Sequence, residues 1–189
     1  FKWDTGSSGS IDVSKVWPDG TDEVVALASH NNLLFIFGKR QILIYQGAED
    51  PATMSLADTI VGIGCSHRDT VQNTGTDILF LSDTGVRSIT RTIQEKSAPM
   101  RDISKNVRTE MMTAVASETG HIHSVYNSEE AFYVIQLENI GTSYVFDMRG
   151  PLEDGSHRAT TWTSIRPQAM CSLRDGTLYF GHADGISEY

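Results

Sequence analysis

Two copies of the tripeptide Asp-Thr-Gly carry the most recognisable chemistry in this sequence. They occupy positions 4–6 and 83–85. Two aspartates that share one proton can activate a water molecule, as in aspartic proteases. The copies are only 79 residues apart, too close for a bilobal enzyme of that class, and residues 1–3 are not the apolar strand that precedes the string there. We interpret residues 83–85 as a turn and residues 6–10 as a flexible surface linker.

His121 and His123 flank one residue of a strand-like segment, so their side chains share a face. Such a pair needs further ligands to hold a metal, and none follows at a recognisable spacing. We favour hydrogen-bonded or solvent-facing histidines. The other histidines are scattered: His30, His67, His157 and His182. No nucleophile stands beside a base, no glycine-rich phosphate loop is present, and residues 82–85 lack the spacing of a sialidase-type Asp-box. We predict no enzyme, and no catalytic, cofactor-binding or metal-binding residue.

Composition limits the classes of partner. The net charge of −9 disfavours ordinary nucleic-acid binding, because an acidic surface repels phosphates. No apolar run approaches the roughly 18–20 residues that span a membrane. We interpret Cys65 and Cys171 as two buried free thiols, since a disulfide framework needs more cysteines. The chain begins at Phe1 and ends in a strand-like pattern, so we expect a fragment of a longer polypeptide.

The elements that would position such residues follow a fourfold repeat of β-hairpins. Their strands are residues 33–37 and 42–45, 78–81 and 86–89, 132–135 and 144–146, and 177–180 and 186–189. The second strands start 44, 58 and 42 residues apart. Further strands precede the hairpins at residues 23–29, 59–64, 121–126 and 169–173, with another at 159–165. This period predicts an all-β chain, with an N-terminal linker or edge segment at 1–22 and β-propeller blades at 23–189.

About four blades are visible, and they could belong to a larger propeller. A sandwich or barrel built from the same antiparallel hairpins remains the alternative. The long 58-residue interval predicts one inserted helix at about 97–118, with Asp102 as its N-cap, Gly120 after its end and Pro99 limiting its start. Its apolar stripe recurs every four residues, at Ile103, Val107, Met111 and Val115. That stripe would pack on its own domain or on a partner subunit.

The repeat cores also carry a family resemblance. Residues 31–47, 144–149, 162–163, 179–181 and 185–186 resemble segments of the tail nozzle, or tail tubular, proteins of short-tailed bacteriophages (podoviruses). The resemblance spans about residues 23–189 and rests on blade chemistry. It implies a structural β-propeller protein of the virion tail, assembled in the host cytoplasm. Its partners would be identical subunits in a ring and other tail proteins, the adaptor and the fibres. DNA would pass through the ring during genome ejection without specific binding.

The acidic charge has two interpretations under this resemblance. A ring channel lined with carboxylates would repel passing DNA, whereas a generally acidic surface would only aid solubility. Acidic residues clustered away from the ring axis would remove the first. Two other functions stay open: a non-catalytic propeller for protein–protein interaction, and a glycan-binding or hydrolytic propeller with a site where the loops converge. The inserted helix and the linker before it break the repeat, so we expect them to form contacts.

Overall fold

The chain folds almost entirely into β-structure in this computed structural model. The structure describes residues 12–50, 52–95 and 102–189. The strands, in chain order, are β1 (Val24–His30), β2 (Leu33–Gly38), β3 (Gln41–Gln46), β4 (Ser55–Val61), β5 (Gln72–Asn73), β6 (Ile78–Ser82), β7 (Gly85–Ser88), β8 (Ile122–Asn127), β9 (Phe132–Leu137), β10 (Thr142–Asp147), β11 (Ala159–Trp162), β12 (Ala169–Ser172), β13 (Leu178–His182) and β14 (Gly185–Glu188). The helices are α1 (Ile89–Glu95) and α2 (Arg108–Ser117), with a 3₁₀ turn at Arg68–Thr70. The predicted all-β class is confirmed.

The strands form four separate antiparallel sheets. The first sheet is β1-β2-β3-β4, the second β5-β6-β7, the third β8-β9-β10-β11 and the fourth β12-β13-β14. Each sheet is a meander, because its strands pair in chain order. No sheet formed by the described residues closes on itself.

The hairpin turns explain why the strands reverse where they do. Asn31 and Asn32 join β1 to β2 with φ of 49° and 60°. Two consecutive positive φ values are typical of the two-residue turns that match strand twist. Gly85 and Gly185 start β7 and β14 with φ of 133° and 155°. Glycine suits both positions because other residues rarely adopt such φ values.

The sheets pack face to face in chain order. One apolar cluster joins the first sheet to the second, another joins the second to the third, and a third joins the third to the fourth. Phe37 and Phe80 meet across the first of these interfaces, with ring centroids 5.1 Å apart. The far face of the first sheet is covered by Trp17 with Val13 and Val16. Those residues belong to the segment predicted as an N-terminal edge; residues 1–11, including the predicted linker, lie outside the described residues.

The first strands of neighbouring sheets lie side by side. β1 contacts β5, β5 contacts β8, and β8 contacts β12. Side chains bridge them: Asn73 donates from Nδ2 to the Ser29 carbonyl (2.7 Å), and Gln72 donates from Nε2 to the Ser124 carbonyl (3.1 Å). The fourth strands, β4 and β11, lie at the opposite edges of their sheets. We call β1, β5, β8 and β12 the inner strands.

Two assignments from the sequence are corrected. The strand predicted at 59–64 was expected to precede the second hairpin, but Ser55–Val61 pairs with β3 as the fourth strand of the first sheet. The two-residue strand Gln72–Asn73 pairs with β6 instead. The single helix predicted at 97–118 is also different, because the described part of that range is helical only at Arg108–Ser117 and a second helix, Ile89–Glu95, directly follows β7.

Candidate functional site

The inserted segment, residues 102–117, is the largest departure from the repeat. Its first residues lie along the edge of β7, where the first and third sheets have a fourth strand. Ile103 donates its backbone N–H to the Val86 carbonyl, and Ser104 Oγ accepts from the Val86 N–H, both at 3.0 Å. The Ile103 carbonyl accepts from the His157 N–H at 3.0 Å. The segment therefore joins the second sheet to the third.

Asp102 is buried at the start of this segment, with 1% of its surface exposed. Its two carboxylate oxygens accept from Ser104 Oγ at 3.1 Å and from an Arg108 guanidinium nitrogen at 3.0 Å. Its side chain makes no N-cap bond to a helix, which is why α2 begins at Arg108 and not near Asp102. A buried carboxylate is stable only when its oxygens are paired in this way.

α2 packs on its own domain. Met111 and Val115 are buried in the cluster between the second and third sheets, and Val107 and Ala114 lie against it. Ile103 belongs to the same cluster although it is not helical. The apolar stripe predicted from the sequence is therefore buried as expected, but only its second half is a helix.

A polar cleft of about 230 Å³ lies beside the inserted segment, between the second and third sheets. His157 is 4% exposed at its base, with Nδ1 2.7 Å from the Asp147 carbonyl and Nε2 3.3 Å from Arg91. Burial lowers the pKa of His157, so the neutral imidazole is favoured. Arg91 also donates to the Gly155 carbonyl at 2.6 Å. The cation is thus held by the loop before β11.

The carboxylates of this cleft are likewise occupied by structural bonds. Asp77 accepts from the Thr90 N–H at 3.0 Å and from the Ser88 hydroxyl, which ties α1 to the start of β6. Asp147 accepts from Arg149, whose hydrogen bonds lower the pKa of that carboxyl to about 2. A general base or nucleophile needs an available lone pair, whereas these groups bind one another. The cleft is built to connect sheets.

The structure places the second Asp-Thr-Gly string, residues 83–85, at the turn between β6 and β7. Thr84 bonds to Ser82 Oγ (3.1 Å) and accepts from Arg87 (2.8 Å). A Cβ on Gly85 would lie 2.6 Å from Ser104 Oγ, so this turn also fits closely under the inserted segment. The first string, residues 4–6, lies outside the described residues.

His121 and His123 share a face as expected, with ring centroids 5.7 Å apart. Among the described residues, no group of three or more His, Cys, Asp or Glu side chains could hold a metal ion. The predicted burial of both cysteines is half correct. Cys65 is buried, donates to the His67 carbonyl and has its pKa raised by burial to about 11. Cys171 is exposed, so that prediction is wrong.

The sequence gave no indication of an uncovered apolar face on the fourth sheet. Leu178 and Phe180 of β13 point toward the third sheet. Alternate residues therefore point away from it, and they form what we call the open face: Ala169, Cys171, Tyr179, Gly181, Ile186 and Glu188. Ile186 is 79% exposed. The open face and the inserted segment are the two candidate contact surfaces of the chain.

Comparisons with known proteins define no family. No family model and no curated protein matches the sequence. Among solved structures, the chain is similar to one described as the AfRom2 CNH domain, with 9% identity and a TM-score of 0.42. The match covers 90% of this chain and 52% of that one, so the chain spans about half of its length. Similarity this weak does not define the fold. Within the described residues, no helix is long and apolar enough to cross a bilayer.

Proposed function

We propose that the four sheets are consecutive blades of a β-propeller. The contact of each inner strand with the next supports this most directly, since blades meet along their inner strands around a common axis. In a flat stack of layers, no single strand of each sheet would be favoured in this way. The repeat of 42 to 44 residues between equivalent strands supports the same architecture.

We further propose that the chain is a structural part of a bacteriophage tail, in the manner of the nozzle proteins it resembles. The residues that carry the resemblance are strand cores and their turns, so the resemblance concerns architecture and assembly. The bonded carboxylates and cations of the polar cleft are consistent with a non-catalytic role. In this proposal identical subunits form a ring with the adaptor and fibre proteins, and DNA passes without specific binding.

The distribution of acidic residues restricts how charge would act in such a conduit. The inner strands contain no Asp or Glu. Acidic side chains lie instead in the turns, for example Asp83 and Asp184. Repulsion of DNA would therefore come from turns that face the axis of the ring, and the axis of a single propeller would be free of carboxylates from its inner strands.

A stand-alone propeller for protein–protein interaction is the second candidate. The open face favours it, because an exposed apolar surface such as that around Ile186 is typical of a binding site. A glycan-binding or hydrolytic propeller is the third, and the polar cleft is where its ligand would bind.

Mass photometry and negative-stain electron microscopy of the purified chain test the tail proposal. We expect rings of identical subunits with an open channel, and no retardation of duplex DNA in a gel. A monomer at every concentration would contradict the ring. Saturable binding of a glycan, lost when Arg91 is replaced by Ala but kept in a matched Arg174→Ala variant, would favour the third candidate.

A further inference from the structure

The open face of the fourth sheet occupies the position that the other sheets use for packing. In the first sheet, Ala26, Phe37 and Ile42 are aligned across three strands and face the second sheet. In the fourth sheet, the row in the same position is Ala169, Gly181 and Ile186. The first row is buried beneath its neighbour, whereas Ile186 is 79% exposed.

The next row shows the same correspondence. Ala28, Phe35 and Ile44 in the first sheet match the row of Cys171, Tyr179 and Glu188 in the fourth. A small residue on the inner strand precedes a larger residue on the hairpin in both. The described residues of the chain supply no sheet to cover this second set of rows. The open face is therefore continuous in geometry with three interfaces that are already formed.

We propose that the open face binds the open face of a second copy of this chain, through a twofold axis. Packing of the fourth sheet onto the first sheet of another copy is blocked, because Trp17 and its neighbours already cover the far face of the first sheet. The fourth sheet is thus left to bind its own counterpart. A self-complementary patch of this kind is what a twofold dimer requires.

The shape of the face suits such a contact. Ile186 projects from β14, and Gly181 lies opposite it on β13. A Cβ added at Gly181 would meet only Ala169, at 3.5 Å or more, so the glycine leaves a shallow notch. A twofold rotation places Ile186 of each copy over the notch of the other. Glu188, the one formal charge of the face, stands on the edge strand and can remain in water.

The contact is small. Stable complexes bury about 800 Å² on each partner, and six residues offer less. We therefore expect weak association that depends on protein concentration. The inference rests on the register of the sheets and does not require the tail function.

The two cysteines provide a direct test, because Cys171 lies on the open face and Cys65 is buried. The rate of maleimide labelling of Cys171 is measured on the purified chain at about 10 µM and about 500 µM, together with the mass in solution. We expect labelling to be at least about threefold slower at the higher concentration, with the mass rising toward that of a dimer. Cys65 should stay unlabelled throughout and so report that the chain is folded.

Two variants sharpen the test. Ile186→Lys adds a charge to the projecting side chain, and Gly181→Leu fills the notch without adding one. Both should label rapidly at both concentrations, whereas Ile140→Lys, in the turn between β9 and β10, should behave as the wild type. A labelling rate independent of concentration in the wild type would overturn the proposal. Association with Cys171 still freely labelled would also overturn it, while leaving a ring of subunits possible.

Discussion

The first and fourth sheets have the same register but opposite surroundings. Phe37 and Ile42 have no exposed surface, while Ile186, aligned like Ile42, is 79% exposed. Both are apolar residues at the second position of the third strand. Their burial is therefore determined by the sheet that packs against them and not by their own strand. The comparison separates positions that stabilise the chain from positions available for binding.

The largest difference is expected when this pair of isoleucines is shortened. Ile42→Ala should lower the free energy of unfolding by about 2–5 kcal/mol, because it leaves a cavity between two packed sheets. Ile186→Ala should change it by no more than about 0.5 kcal/mol. Urea unfolding of both variants at low protein concentration measures the difference. Equal losses would mean that the fourth sheet is covered in solution even in the monomer.

The inserted segment offers a second comparison, between a buried and an exposed carboxylate. Asp102→Ala should cost about 1–3 kcal/mol, because Ser104 and Arg108 lose their shared acceptor. The matched control is Asp154→Ala, whose carboxylate pairs with Lys105 at the surface; we expect a change of at most about 1 kcal/mol. Thermal unfolding followed by circular dichroism distinguishes the two. A neutral Asp102→Ala would show that the segment is not docked on β7.

The glycines that start β7 and β14 allow a smaller but closely matched comparison. Both have positive φ, so replacement by Ala strains either turn. Only Gly85 lies under the inserted segment, since a Cβ at Gly185 would meet nothing within 4 Å. Gly85→Ala should therefore cost about 1 kcal/mol more than Gly185→Ala. Denaturant midpoints measured in parallel give this difference, and identical midpoints would contradict the close fit.

The smallest effect is a change in pH dependence. Burial lowers the folded-state pKa of His157, so its contribution to stability is present above the unfolded value of about 6.5 and is lost as pH falls. His157→Gln should flatten the decline in stability between about pH 7 and pH 5. Half-buried His67 has its pKa lowered for the same reason, so part of the slope should remain. His182→Gln, in the fourth sheet, is the control and should leave the slope unchanged.

Local features of the fold were well predicted from the sequence. Each hairpin follows an apolar run and a turn that contains glycine or asparagine, and such patterns are read over a few residues. The strand at residues 55–61 shows where this fails. Its pattern predicts a strand, but which sheet it joins depends on long-range pairing with β3. Cys171 fails for a similar reason, because an apolar strand pattern does not show whether a neighbouring sheet covers it.

The inserted segment shows a different limit. The four-residue spacing from Ile103 to Val115 correctly predicts burial, but spacing alone does not fix the backbone conformation. Asp102 bonds to Ser104 and Arg108, and Ile103 bonds to the edge of β7, so tertiary contacts replace the first turns of the predicted helix. The polar cleft was not predicted, because its residues come from distant parts of the chain.

Distances between spin labels test the radial arrangement of the sheets most directly. The inner pair is Leu27 on β1 with the native Cys171 on β12, and the outer pair is Leu56 on β4 with Ile186 on β14. Cys65 is replaced by Ser in both proteins, Cys171 is also replaced in the second, and both are studied at low concentration. A propeller predicts a longer distance for the outer pair, because blades diverge from their axis. An outer distance equal to or shorter than the inner one would contradict the propeller.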